Sequence, residues 1–152
     1  MSQLVGQKQD ALLGGVSRQL TILFSDIANF TSISEHLEPE VLVEDLCEYF
    51  NVISRAILTE RGTLDKYIGD SVMAFWGAPV EVDEHAYHAC MAAVTAQDRL
   101  ASLFRQWESK GKTRFATRIG IHTAEVVVGN MGYEERLNYT VIGDGVNLAK
   151  PP

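Results

Sequence analysis

The run Leu20-Thr-Ile-Leu-Phe-Ser-Asp26-Ile27 most narrows what this chain can fold into. Leu20, Ile22 and Phe24 alternate with Thr21, Leu23 and Ser25, and the near-continuous apolarity predicts a strand over 18–26 buried on both faces. That strand ends on Asp26. A second aspartate, Asp70, sits in the tight turn of Lys66-Tyr-Ile-Gly69-Asp70-Ser-Val-Met-Ala-Phe75. A carboxylate at the tip of a buried strand and another in a turn suggest a divalent-metal site. Hard cations such as Mg²⁺ are held by one or two carboxylates together with substrate phosphates. The pattern therefore points to chemistry on a nucleotide.

The rest of the chain supplies a frame for that pair. Ala28 to His36 reads as a short helix or turn, and Pro39 fits the first turn of a long helix. Leu42, Leu46, Phe50, Ile53 and Ile57 predict its buried stripe, and Arg61-Gly62 its end. Residues 63–68 and 71–77 read as two strands joined at Gly69-Asp70, where a glycine at the first central position fits a type II′ hairpin. Simple alternation puts Leu64, Lys66 and Ile68 on one face. Lys66 is then either a snorkelling edge residue or a cation held in a pocket for an anion or a ring nitrogen. Asp83 reads as the N-cap of a second long helix, with Cys90, Val94, Leu100, Leu103 and Trp107 buried and Gly111 closing it. Cys47 and Cys90 both fall on these apolar stripes and read as small buried hydrophobes. Residues 115–123 and 125–130 read as a pair of strands, and Tyr133 to Asn138 as a polar turn. Tyr139 to Ile142 reads as a further strand, and Val146-Asn147-Leu148-Ala149 as the start of a helix. The order β-α-α-β-β-α-β-β predicts an α+β fold, a ferredoxin-like antiparallel sheet with helices packed on one face. Residues 1–17 read as a linker or the tail of a preceding element, and 18–152 as one domain.

Bulk composition enters as a filter. The formal net charge is −7 and no Lys/Arg run exists, which speaks against duplex nucleic acid as a partner. An acidic protein that takes an anionic nucleotide needs cations between the like charges, as the two aspartates imply. No secretory signal and no segment apolar enough to span a bilayer occur, so the chain is expected to be cytoplasmic, with a parent that can be anchored elsewhere.

Four motifs stand in order: Phe24-Ser-Asp26-Ile27-Ala-Asn-Phe30-Thr31, Lys66-Tyr-Ile-Gly69-Asp70-Ser-Val-Met-Ala, Arg118-Ile-Gly120-Ile-His122-Thr and Asn138-Tyr-Thr140-Val-Ile-Gly143-Asp144-Gly-Val-Asn147-Leu-Ala. Together they resemble the catalytic domain of class III nucleotide cyclases over about residues 18–149. The resemblance implies attack of a ribose 3′-hydroxyl on the α-phosphorus of ATP, giving 3′,5′-cyclic AMP and pyrophosphate. It implies two divalent ions, Mg²⁺ or Mn²⁺, on Asp26, Asp70 and the Ile27 carbonyl. It places phosphate oxygens at the turn amides from Ala28 to Thr31, with Phe30 and Thr31 among the substrate-binding residues. Lys66 and Thr140 match the base-reading pair of an adenine-selective subgroup. A lysine donates to the ring nitrogen that is an acceptor in adenine and a donor in guanine. Asn147 matches the residue that orients the ribose and steadies the transition state, and Arg136 lies where a basic residue approaches the phosphates. The family builds its site between two chains, so a head-to-tail homodimer with ATP is the expected assembly.

Ordinary structural readings stand beside these. Asn147 fits a helix cap, His122 a packed histidine, Asp144 a turn residue and Arg136 a solvated surface cation. The family's transition-state arginine, four positions after the asparagine, falls on Pro151, and a helix near Asn147 meets Pro151-Pro152 almost at once. The end therefore reads as a C-terminal truncation or a foreign tail, with weak or no turnover expected of this chain. The alternatives are a guanylyl cyclase, a non-catalytic module that dimerises or binds nucleotide, and another two-aspartate palm-type enzyme such as a polymerase or a diguanylate-forming domain. Lys66 argues against the first. The lack of a Gly-Gly-acidic-acidic-Phe signature and of a basic template-binding surface argues against the last.

Overall fold

The computed structural model describes residues 13–133 and 136–151, with side chains for 15–132 and 138–151. The elements run β1 (Leu13–Ile27), α1 (Phe30–Glu35), α2 (Pro39–Thr59), β2 (Thr63–Ile68), β3 (Ser71–Trp76), α3 (His85–Ser109), β4 (Thr117–Tyr133), β5 (Arg136–Ile142) and α4 (Asp144–Leu148). The five strands form one sheet in the order β2-β3-β1-β4-β5, antiparallel at every pairing. The first four strands have the ferredoxin-like order, and β5 extends it. The central strand, β1, carries the run Leu20–Ile27, and Leu20, Ile22 and Leu23 are fully buried there.

Alternation along β1 divides the core in two. Leu23 and Ile27, with Val72, Ala74 and Trp76 of β3, face α2 and α3. Leu20, Ile22 and Phe24, with Met73 and Phe75, face the other way. That second face is covered by Val126 and Val128 of β4, Val141 of β5, and Val146 and Ala149 at α4. The long helices thus share one face as expected, and short α4 lies on the other. The sheet curls strongly over the second face, because Tyr139 on one edge strand brings its ring centroid within 6.2 Å of Phe75.

Several local expectations give way to packing. β1 begins at Leu13, inside the stretch read as a linker; residues 1–12 lie outside the described part. Residues 117–133 form one long strand rather than two, paired with β1 from Thr117 to Asn130 and with β5 from Val127 to Tyr133. The buried stripe of α2 is Asp45, Tyr49, Ile53, Ala56 and Ile57, with Leu42, Leu46 and Phe50 only partly covered at its flank. The stripe of α3 runs through Ala89, Ala92, Ala96, Leu100, Phe104 and Trp107. Small alanines let α3 lie close, and Cys90 and Val94 turn outward. Both cysteines are exposed, contrary to the expected burial. α3 starts one residue later than expected, with Glu84 in left-handed geometry (φ 56°) in place of an Asp83 cap. The left-handed residue after α2 is Arg61 (φ 67°), not Gly62.

Candidate active site

The β2–β3 turn behaves as its sequence predicts. Gly69 takes φ 59° while Asp70 keeps a negative φ, the signs a type II′ turn requires. This turn brings Asp70 to the end of β1, where its Oδ2 accepts the backbone N–H of Ile27 at 2.8 Å. Asp26 is the residue next door. A cleft of about 550 Å³ opens here, lined by Asp26, Ile27, Phe30, Thr31, Asp70 and Arg118, with Glu35 at its rim. Five residues singled out from sequence therefore converge on one opening. The Ala28 amide is not free for a phosphate, because it donates to the Ala116 carbonyl at 2.8 Å. Asn29 adopts left-handed geometry (φ 58°), which asparagine tolerates better than most residues, and α1 starts beyond it.

Arg118 is the residue the sequence reading quoted without a role. It sits directly across from Asp26 in the β1–β4 register. Its Nε and a terminal nitrogen donate to both Asp26 oxygens, at 2.8 and 3.1 Å. That hydrogen bond, and then the charges of Asp26 and Asp70, hold its guanidinium still more firmly protonated. Tyr49 was also missed. Its phenol hydrogen-bonds the Thr117 hydroxyl (2.9 Å) at the start of β4. Burial pushes its pKa far above the ordinary tyrosine value, the Thr117 bond opposes this, and the nearby Asp70 and Asp26 charges add to it. Tyr49 is thus a neutral packing group beneath the cleft.

Lys66 and Thr140 also meet, although they lie on opposite edge strands. Lys66 Nζ donates to Thr140 Oγ1 at 3.2 Å. A bulge makes this possible. The β2–β3 register pairs Leu64 with Ala74 but Lys66 with Met73, so Asp65 is an extra residue. Leu64 packs with the helix-side core, and Lys66 falls opposite a residue of the second face. The expected shared face of Leu64 and Lys66 is therefore corrected by one inserted residue. Asp65, also missed, has a side chain with no exposure, and its Oδ1 lies 3.4 Å from Lys66 Nζ. Its Oδ2 accepts the Thr140 hydroxyl.

Asn147 lies within α4 rather than at its cap and is exposed. α4 is seated by close approach: a Cβ on Gly120 would stand 2.0 Å from the Ala149 carbonyl oxygen. Asp144 opens that helix, and His122 is partly buried on β4. The side chain of Arg136 lies outside the described residues.

The donor set suits a hard cation. Two carboxylates and Ile27 border the cleft, and among the described residues no group of three or more His, Cys, Asp or Glu is gathered. A metal here would draw its remaining ligands from water and a substrate's phosphates, as Mg²⁺ commonly does.

The sequence and the fold have known counterparts. Residues 16–151 match the family described as the adenylate and guanylate cyclase catalytic domain. The chain belongs to that family. It is 44% identical over 132 residues to Adenylate cyclase 1 of Rhizobium meliloti (strain 1021), covering 87% of this chain and 20% of that protein. It is 38% identical over 137 residues to the adenylate cyclase of Anabaena cylindrica, covering 88% of this chain and 26% of that one. Among solved structures, the guanylyl cyclase Cya2 superposes with a TM-score of 0.85 at 40% identity, over 90% of this chain and 69% of that chain. The adenylyl cyclase CyaB from P. aeruginosa gives 0.86 at 39%, over 90% and 71%. Overall identity does not separate the two nucleotide preferences, so the choice rests on individual residues.

Proposed function

We propose that this chain is an adenylyl cyclase catalytic domain that converts ATP to 3′,5′-cyclic AMP and pyrophosphate. The observation that carries the reading is the convergence of Asp26 and Asp70 on one cleft, with Asp70 fixed by the Ile27 amide. In the reaction the 3′-oxygen forms a bond to the α-phosphorus and loses its proton, while the bond to the pyrophosphate oxygen breaks. Divalent ions, when bound, would favour the deprotonated 3′-oxygen and offset charge on the phosphates. Asp26, Asp70 and the Ile27 carbonyl hold that charge in place. Phe30 and Thr31 border the phosphates, and Arg118 supplies a cation at the same rim. Catalysis is then positioning and electrostatics rather than covalent chemistry on the protein.

Adenine selection is assigned to Lys66 and Thr140, and ribose orientation to Asn147. None of these three is among the residues lining the Asp26–Asp70 cleft. That separation supports a site completed by a second copy, with the carboxylates of one chain facing the base-reading pair of the other. A head-to-tail homodimer satisfies this with two equal sites. Arg136 is retained as a phosphate-side cation on the strength of its motif position alone. A second reading, a module that binds nucleotide or dimerises without turnover, is favoured by one residue: Pro151 stands where the family has its transition-state arginine.

Cyclic nucleotide production with Mn²⁺ and either ATP or GTP separates these readings. Slow formation of cyclic AMP from ATP, with still less cyclic GMP from GTP, is the expected result. Tight nucleotide binding with no product from either would favour the second reading, and cyclic GMP as the main product would overturn the assignment of Lys66.

A further inference from the structure

A threonine is an ambiguous reader of a base, because its hydroxyl both donates and accepts. Thr140 is not ambiguous here. Its hydroxyl donates to Asp65 Oδ2, so the proton points away from the open side of the cluster. What remains of Thr140 toward a ligand is an acceptor oxygen, which Lys66 Nζ reaches at 3.2 Å. Asp65 itself is sealed: its side chain has no exposure, and Oδ1 makes no hydrogen bond among the described residues, Lys66 Nζ standing 3.4 Å away as an ion-pair partner. The β2 bulge is what brings Asp65 beside Lys66 and under Thr140.

We infer that Asp65 is a positioning residue for nucleotide choice: by taking the Thr140 proton, it turns the threonine into an acceptor matched to the 6-amino group of adenine. The inference rests on the cyclase reading of this site and assigns its adenine selectivity to a three-residue relay. Lys66 presents donors and Thr140 Oγ1 presents an acceptor. Adenine offers the complementary pair, a ring acceptor and an amino donor. Guanine offers the reverse, a ring donor and a carbonyl acceptor, and meets like groups at both positions. The rejection is set mainly at Thr140, which is 8% exposed, because a mismatched polar group buried there stays unpaired. Asp65 touches no substrate in this scheme.

The test is binding of 3′-deoxy-ATP and 3′-deoxy-GTP with Mn²⁺, analogues that lack the attacking hydroxyl, measured by calorimetry on the chain and its variants. Asp65→Asn keeps the shape and the fold. Its amide N–H would donate to Thr140 Oγ1 while its carbonyl faces Lys66, turning the hydroxyl outward as a donor. The ATP-to-GTP affinity ratio is expected to fall about tenfold or more. Asp65→Asn with Thr140→Asp restores a fixed acceptor and should recover the preference, which a merely structural role for Asp65 would not allow. An unchanged ratio in Asp65→Asn overturns the inference. So does equal weakening of both nucleotides, or failure of the double variant to restore preference while thermal melting shows it folded. If the unaltered chain binds neither analogue, the cyclase reading falls and this inference falls with it.

Discussion

The two faces of the sheet are covered by different means. On the helix side Tyr49, Trp76, Trp107 and Phe115 are fully buried under two long helices. Polar groups there close on one another: the Trp107 indole donates to Glu48 at 2.8 Å, the Trp76 indole to the Glu60 carbonyl at 3.0 Å, and Lys112 to buried Asp45 at 2.7 Å. The second face has thinner cover, from valines of β4 and β5 and one short helix. Asp65, Lys66 and Thr140 sit on that side, and Lys66 keeps 39% of its side chain exposed. The bulky aromatic core lies where the helices are, and the proposed base-reading pair lies on the face with the thinner cover.

Substitutions can break or sharpen this division. Trp107→Ala removes the largest helix-side packing group that also holds Glu48, and should cost about 3–5 kcal/mol in urea denaturation. Nucleotide preference in whatever protein remains folded should not move; a changed ATP-to-GTP ratio would mean the faces are coupled. Asp70→Ala should leave the melting temperature nearly unchanged while turnover with Mn²⁺-ATP falls roughly 10²–10³-fold. Retained affinity for Mn²⁺-ATP would remove Asp70 from the site. Lys66→Glu on the second face should shift preference towards GTP by about tenfold or more. Unfolding of this variant would show that Lys66 serves the core instead.

Much of this division is legible in the sequence. The alternation Leu20, Ile22, Phe24 against Leu23, Ile27 states that β1 is covered twice, and Gly69-Asp70 states the turn that delivers a carboxylate. What stays hidden depends on neighbours. The bulge at Asp65 has no local signature, yet it decides which face Lys66 occupies. Arg118 becomes visible only through the register that sets it opposite Asp26. Cys90 and Val94 were misplaced because α3 rolls to present Ala89, Ala92 and Ala96, a choice made by close approach rather than by hydrophobicity. Tyr49 and Asp45 were passed over because the stripe read from Leu46 and Phe50 lies one residue off the true one there, meeting it only at Ile53 and Ile57.

The seat of α4 gives a finer probe of the second face. Gly120→Ala would force a Cβ against the Ala149 carbonyl oxygen, so β4 and α4 must part. A loss of about 1–3 kcal/mol is expected from such overpacking. Because Asn147 rides on α4, turnover should fall further than affinity for 3′-deoxy-ATP. Equal loss of both would argue that α4 supports the fold alone.

The smallest effect at neutral pH concerns an ion pair sunk into the helix side. Asp45, 1% exposed, holds Lys112 and raises its pKa above the ordinary 10.5, burial opposing and Glu44 and Glu48 assisting. A raised folded-state pKa contributes stability that is present below 10.5 and lost as pH climbs through the folded value. Lys112→Met should therefore lower the denaturation midpoint at pH 7–10, where it leaves a buried carboxylate without its cation. Above the raised folded-state pKa the two proteins should converge, because the unaltered lysine is then discharged as well. A gap that stays constant across this range would mean that the methylene stem of Lys112, and not its charge on Asp45, is what the helix face uses.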